Sequence, residues 1–274
     1  MRLLIFNIVS YIYCLPFVFS NIGKEYGVSL IDRIKLFLRI LKANKKIKTL
    51  TLWQQNLFLV EEILSIPHSL EGDVVECGCY NGASTACLSL ACKLTDRVLH
   101  VCDSFIGLPE PEKDEALTLK GDSKNYYLWG KGQYSSDGGL EGVKENIKKY
   151  GDINVCIFHA GYFIDTLSEI KSSIVLVFED ADIASSVKDC LTYLWKQLSN
   201  GCKFVSHEPW SNSVVALFYD SVWWQGNFNQ SSPGFIGSGT GAIKDIRYFP
   251  DIGYTVKDDM SLDGYHRCEH EGKL

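Results

Sequence analysis

Carboxylate and imidazole side chains recur in this chain at one kind of position, the end of a short apolar run. The first run ends at Glu76, the second at Asp103 and the third at His159. The fourth ends at Glu179-Asp180-Ala181-Asp182 and the fifth at His207-Glu208. Runs that are apolar throughout read as strands buried on both faces, the signature of a parallel sheet covered by helices. Open sheets of that kind bind ligands outside the carboxyl ends of their strands. Five such ends in succession gather acids and imidazoles round one crevice. There they can hold ribose hydroxyls, ligate a divalent cation or accept a proton.

The turn after the first run carries the most specific spacing, Glu76-x-Gly78-x-x-x-Gly82-x-Ser84. It departs from the dinucleotide pattern G-x-G-x-x-G because no third glycine draws helix and strand together round a pyrophosphate. That absence opposes a nicotinamide-dependent oxidoreductase and favours S-adenosylmethionine. Gly78 and Gly82 would let the backbone approach the methionine portion, Glu76 would orient polar groups, and Ser84 opens the following helix. Asp103, on the next strand, is placed to hold ribose hydroxyls. A tight turn with a purely structural duty is the competing reading.

The elements that must position these groups follow from periodicity. Strands are expected over 73–76, 98–102, 154–159, 174–178 and 203–206, and helices over 84–94, 140–150, 183–198 and 212–223. Two amphipathic helices, 29–43 and 52–64, precede the first strand as a helical extension. The expected fold class is α/β, a doubly wound, mostly parallel sheet with helices on both faces. The chain divides into an apolar segment 1–24, the helical extension 25–70, an α/β domain 71–255 and a tail 256–274. Residues 109–139, rich in Gly, Lys, Asp, Tyr and Ser, are too long for an ordinary connection and read as a lid at the ligand edge of the sheet.

Composition narrows the partners. A net charge of −6 and a pI near 5.6 supply no positive field for nucleic acid. Cys77, Cys87, Cys102, Cys156 and Cys190 sit inside apolar runs, as free thiols do in a reducing, cytoplasmic compartment. Residues 3–22 hold no charge, and Arg and Lys crowd positions 33–48. A membrane contact through 3–22 and a helix packed on the domain are both open readings. His266, Cys268 and His270 read as a solvated tail rather than a zinc site, and Gly237–Gly241 as a flexible turn. Trp210, Trp223 and Trp224 are candidates for a sugar-stacking wall or for core.

Three segments resemble successive signatures of the macrocin O-methyltransferase (TylF-like) family. They are Gly72-Asp-Val-Val-Glu-Cys-Gly78, Asp103-Ser-Phe-Ile-Gly-Leu-Pro109 and Gly161-Tyr-Phe-Ile-Asp-Thr-Leu167, within a similarity covering roughly 70–210. The resemblance implies a class I methyltransferase fold, S-adenosylmethionine as cofactor and a small-molecule acceptor, a sugar or natural-product hydroxyl. It extends the cofactor set to Ser104 and Gly161. It also implies a Mg²⁺ or Mn²⁺ site in which Asp180 takes the position of the first metal-binding carboxylate. Where the family has paired aspartates, this chain has His207-Glu208, a set that suits Mn²⁺ better than the all-oxygen preference of Mg²⁺. Asp180 and His207 are the catalytic candidates; Asp180, His207 and Glu208 are the metal candidates. The same departure supports an alternative, a non-catalytic descendant that keeps the cofactor pocket as a binding or assembly module. A homo-oligomer is compatible with either reading.

Overall fold

The computed structural model describes residues 14–112, 130–237 and 252–258. One six-stranded sheet organises them. Its strands are β1 (Asp73–Cys77), β2 (Leu99–Asp103), β3 (Cys156–Ala160), β4 (Ile174–Glu179), β5 (Leu198–Ser206) and β6 (Gly253–Val256). Their order is β3-β2-β1-β4-β5-β6, parallel except for β6. The two halves of the winding diverge between β1 and β4, which opens a crevice at their carboxyl ends. Every residue of β2 and β4 is buried, as expected of strands covered on both faces.

Ahead of β1 come α1 (Leu15–Phe19), α2 (Leu30–Lys46) and α3 (Trp53–Ser65). Ser29 caps α2, its hydroxyl accepting from the Asp32 amide while the Asp32 carboxylate accepts from the Ser29 amide. Two buried arginines fasten the extension. Arg33 donates to the carbonyls of Val18, Ile22 and Val28, and Arg97 to those of Gly72 and Leu70 and to the Tyr26 hydroxyl. Between and after the strands lie α4 (Ala83–Thr95), α5 (Gly139–Tyr150), α6 (Phe163–Thr166), α7 (Ala184–Leu194), α8 (Asn212–Leu217) and α9 (Ser221–Phe228). Helix α4 packs with α2, α3 and α5, and α7 packs with α6 and α8.

Several elements differ from expectation, and the helix expected over 183–198 ends at Leu194. The helix expected over 212–223 is two helices, because the Asp220 side chain accepts from the Trp223 amide and caps a new start. Strand β5 begins five residues early, with its pairing to β4 slipping between Leu198 and Lys203, where Gly201 adopts φ +78°. Strand β6 was not anticipated at all, since four residues at an antiparallel edge carry little periodic signal. Among the described residues no helix is long and apolar enough to cross a membrane. Residues 3–13 of the apolar segment, most of the expected lid, the 238–241 glycines and the His266–His270 run lie outside the described residues.

Candidate active site

A cavity of about 310 Å³ opens at the carboxyl ends of the strands. Its floor is stitched by backbone hydrogen bonds from the first residues past the strands. The Gly78 amide donates to Cys102, Asp180 to Cys77, His207 to Glu179 and Gly161 to Asp103. This stitching leaves almost no room at Gly78. Its φ is +87°, and a Cβ there would overlap the Asp180 carbonyl oxygen.

Asp103 fills a more structural place than its position on β2 implies. Its Oδ2 accepts from the amides of Cys79 and Tyr80 at 2.7 and 3.1 Å, and its Oδ1 from Phe105 at 2.6 Å. Tyr80 and Phe105 have φ of +48° and +59°, so the carboxylate holds two side-chain-bearing residues in the left-handed region. Burial raises the Asp103 carboxyl, and those backbone donors oppose the rise. A carboxylate offers about four lone-pair directions, and three of them are taken by these backbone amides. Ser104 similarly serves its own loop, donating to Gly107 and accepting from the Ile106 amide.

Of the expected cofactor residues, Gly78, Ser84, Asp103, Ser104 and Gly161 line the cavity, and Glu76 and Gly82 do not. Gly82 turns towards α5, where an added Cβ would meet Val143 at 3.0 Å. Glu76 is wholly buried beneath the turn with both carboxyl oxygens lacking a hydrogen-bond partner. Burial pushes its carboxyl up to about 8, opposed by the nearby Ser84 and Thr85 hydroxyls and reinforced by Asp180 and Asp103. Glu76 then stays protonated in the folded chain while an unfolded glutamate ionises near 4.5. Its contribution to stability is full below that value and is lost as pH rises through about 8, with a slope near 1.4 kcal/mol per unit. Glu76→Gln should therefore flatten the fall in unfolding free energy between these two values. Urea unfolding at a series of pH values measures that slope, and an unchanged slope would count against a protonated Glu76.

At the ends of β4 and β5 the structure brings Asp180, His207 and Glu208 together, with one potential ligand atom from each lying within 4.8 Å of the others. His207 Nδ1 is 3.3 Å from Asp180 Oδ1 and 3.9 Å from Glu208 Oε1. Its Nε2 is 3.3 Å from Gln55 Oε1 on α3, an oxygen that already accepts from the Leu52 amide. Gln55 Oε1 can only accept, so Nε2 carries the hydrogen. In the neutral imidazole Nδ1 then turns a lone pair towards two carboxyl groups, an arrangement that calls for a proton or a cation between them. Glu208 Oε1 and Glu179 Oε2 are buried without a hydrogen-bond partner. Burial, then repulsion from Glu179 and Asp180, raises the Glu208 carboxyl well above the usual range. Burial would raise Asp180 too, but His207 beside it, with Glu208 and Thr51, holds it below that range. Two carboxyls and one imidazole nitrogen are donors suited to a hard or borderline divalent ion.

Other wall residues carry no local sequence signal. Thr49, Leu50 and Thr51 reach the cavity from the α2–α3 connection, and Tyr80 meets Tyr134 edge-on at 5.9 Å. Leu108, the residue before the expected lid, is joined to the far part of it, the Leu108 amide donating to Gln133 and the Gly132 amide to Leu108. Trp210 lines the cavity and is 42% exposed, whereas Trp224 is core. His159 does not line the cavity and bonds through Nε2 to His100 Nδ1 at 2.9 Å.

A parallel sheet in the order 3-2-1-4-5, closed by an antiparallel strand and carrying a glycine turn at β1, is the Rossmann-like architecture shared by solved methyltransferases. A family model described as Macrocin-O-methyltransferase (TylF) matches residues 55–210, more than half of the chain. The chain belongs to the TylF macrocin-O-methyltransferase family and is an enzyme, an O-methyltransferase using S-adenosylmethionine. Solved structures agree on the fold. The O-methyltransferase NovP superposes with TM-score 0.52 at 19% identity, over 84% of this chain and 82% of that one. The calicheamicin methyltransferase CalS11 gives 0.51 at 13% identity, over 82% and 92%. A search of curated proteins found no match.

Proposed function

We propose that this enzyme methylates a hydroxyl of a sugar or another small molecule with the help of a divalent cation held by Asp180, His207 and Glu208. The observation that carries the reading is the convergence of those three side chains, with His207 oriented by Gln55, in the cavity that the Gly78 turn also lines. When bound, such an ion lowers the pKa of a ligated hydroxyl. The protein does the rest. The Gly78–Tyr80 turn, Ser84, Ser104 and Gly161 seat the cofactor, and Asp103 keeps that turn in place for the ribose. The acceptor oxygen attacks the sulfonium methyl, the carbon–sulfur bond breaks with its electron pair left on sulfur, and the hydroxyl proton passes to a carboxylate oxygen of Asp180. Alignment of oxygen, carbon and sulfur contributes on the order of several kcal/mol.

Calorimetric titration with S-adenosylhomocysteine tests the cofactor part, and repeating it with Mn²⁺ and Mg²⁺ tests the cation. Heat on adding Mn²⁺ to wild type, absent in Asp180→Asn, is expected; no metal binding by wild type would overturn the metal reading. The exposed Trp210 supplies an aromatic face beside the acids, suited to stacking against a sugar ring. Trp210→Ala is expected to raise the acceptor KM about tenfold while S-adenosylhomocysteine affinity holds. A loss confined to kcat would argue against stacking.

A further inference from the structure

We infer that the outward face of α2 docks on an anionic lipid surface. Helical residues advance by about 100° each. On that wheel Arg33, Leu36, Phe37, Ile40 and Ala43 make the buried face. Leu30, Ile31, Ile34 and Leu38 make a second apolar stripe that points into solvent, 41 to 62% exposed. Lys35, Arg39, Lys42 and Lys46, all exposed, run beside it on the third side. Single exposed apolar side chains are ordinary, but four in one stripe over about two and a half turns need a partner. Helix α1, packed on α2, adds exposed Phe19 and Leu15.

Charge selects the partner. Residues 24–48 hold eight Lys and Arg against Glu25 and Asp32, a net +6 in a chain totalling −6, so the remainder carries −12. Of the two acids, Asp32 is occupied by the Ser29 cap. Positive charge is thus concentrated in and beside a helix that leaves an apolar stripe uncovered. An apolar stripe bordered by lysines lies in the interface of a bilayer bearing anionic headgroups. The rest of an acidic protein would be repelled from that surface, which fixes the orientation of docking. A second copy of the chain would bring the same lysines into opposition, so charge disfavours self-association through this face.

The test is co-sedimentation of the full chain with vesicles of phosphatidylcholine mixed with phosphatidylglycerol, and with vesicles of phosphatidylcholine alone. Binding to the mixed vesicles only, weakened by added salt, is expected. The double variants Ile31→Gln/Leu38→Gln and Lys35→Gln/Lys42→Gln should each bind at least about tenfold more weakly, with S-adenosylhomocysteine affinity unchanged as the check on folding. No binding to the mixed vesicles would overturn the inference. So would undiminished binding of the apolar variant, which would place attachment in residues 3–22. A lipid-free dimer that the apolar variant abolishes would assign the stripe to a second copy and likewise overturn it.

Discussion

Asp180→Asn is expected to lower kcat by about a thousandfold or more while leaving S-adenosylhomocysteine affinity within about threefold of wild type. The substitution is nearly isosteric, so the Asp180 main chain, which donates to Cys77 and abuts Gly78, need not move. What disappears is the ionised oxygen 3.3 Å from His207 Nδ1. The amide can neither balance a cation as a carboxylate does nor take the acceptor's proton. Stopped turnover with intact cofactor binding identifies a group that acts only on the acceptor side. Activity surviving at near wild-type level would shift the role to Glu208 or Asp182. His207→Asp sharpens the same test. It restores a carboxylate where the family has one, and an all-oxygen set should move metal preference from Mn²⁺ towards Mg²⁺ while retaining turnover. Turnover measured across both ions checks this.

The sequence exposed the strand ends more clearly than the walls between them. Each apolar run that closes in Glu76, Asp103, His159, Asp180 or His207 is a strand end of one sheet, and the pattern is least interrupted in β1, β2 and β4, where burial on both faces is nearly complete. The resemblance to the family grouped Asp180, His207 and Glu208, and the structure brings them together because β4 and β5 are neighbours that finish at the same edge. Their orientation was not legible. Gln55, which sets the tautomer of His207, lies 152 residues away on a helix of the extension, and nothing local marks it. Asp103 shows the opposite limit. Its place on β2 was legible, but that its carboxylate spends three acceptor directions on Cys79, Tyr80 and Phe105 depends on loop backbones in left-handed conformations. The glycine turn was legible as a turn, not as two glycines with different duties.

Those duties predict unequal results for the same substitution. Gly78→Ala should destabilise the protein by about 3–5 kcal/mol, lowering Tm by roughly 10 °C, and abolish S-adenosylhomocysteine binding. Part of the cost is intrinsic, because an alanine at φ +87° is strained by about 1–2 kcal/mol. The larger part is steric. The new methyl overlaps the Asp180 carbonyl oxygen, and relief would require β1 and β4 to part just where the Gly78 amide is bound to Cys102 and the Asp180 amide to Cys77. Separation of those ends also displaces Asp180 from His207. Cofactor cannot rescue the variant, since a ligand stabilises only a folded state that still binds it. Gly82→Ala pays the same backbone strain at φ +82°, but its methyl meets the Val143 side chain at 3.0 Å, which can yield. It should cost only about 1–2 kcal/mol and leave cofactor affinity within a few-fold. Thermal denaturation of both variants, with and without S-adenosylhomocysteine, separates the outcomes. Ligand should raise Tm for Gly82→Ala and not for Gly78→Ala, and equal behaviour would mean that both glycines face the cofactor.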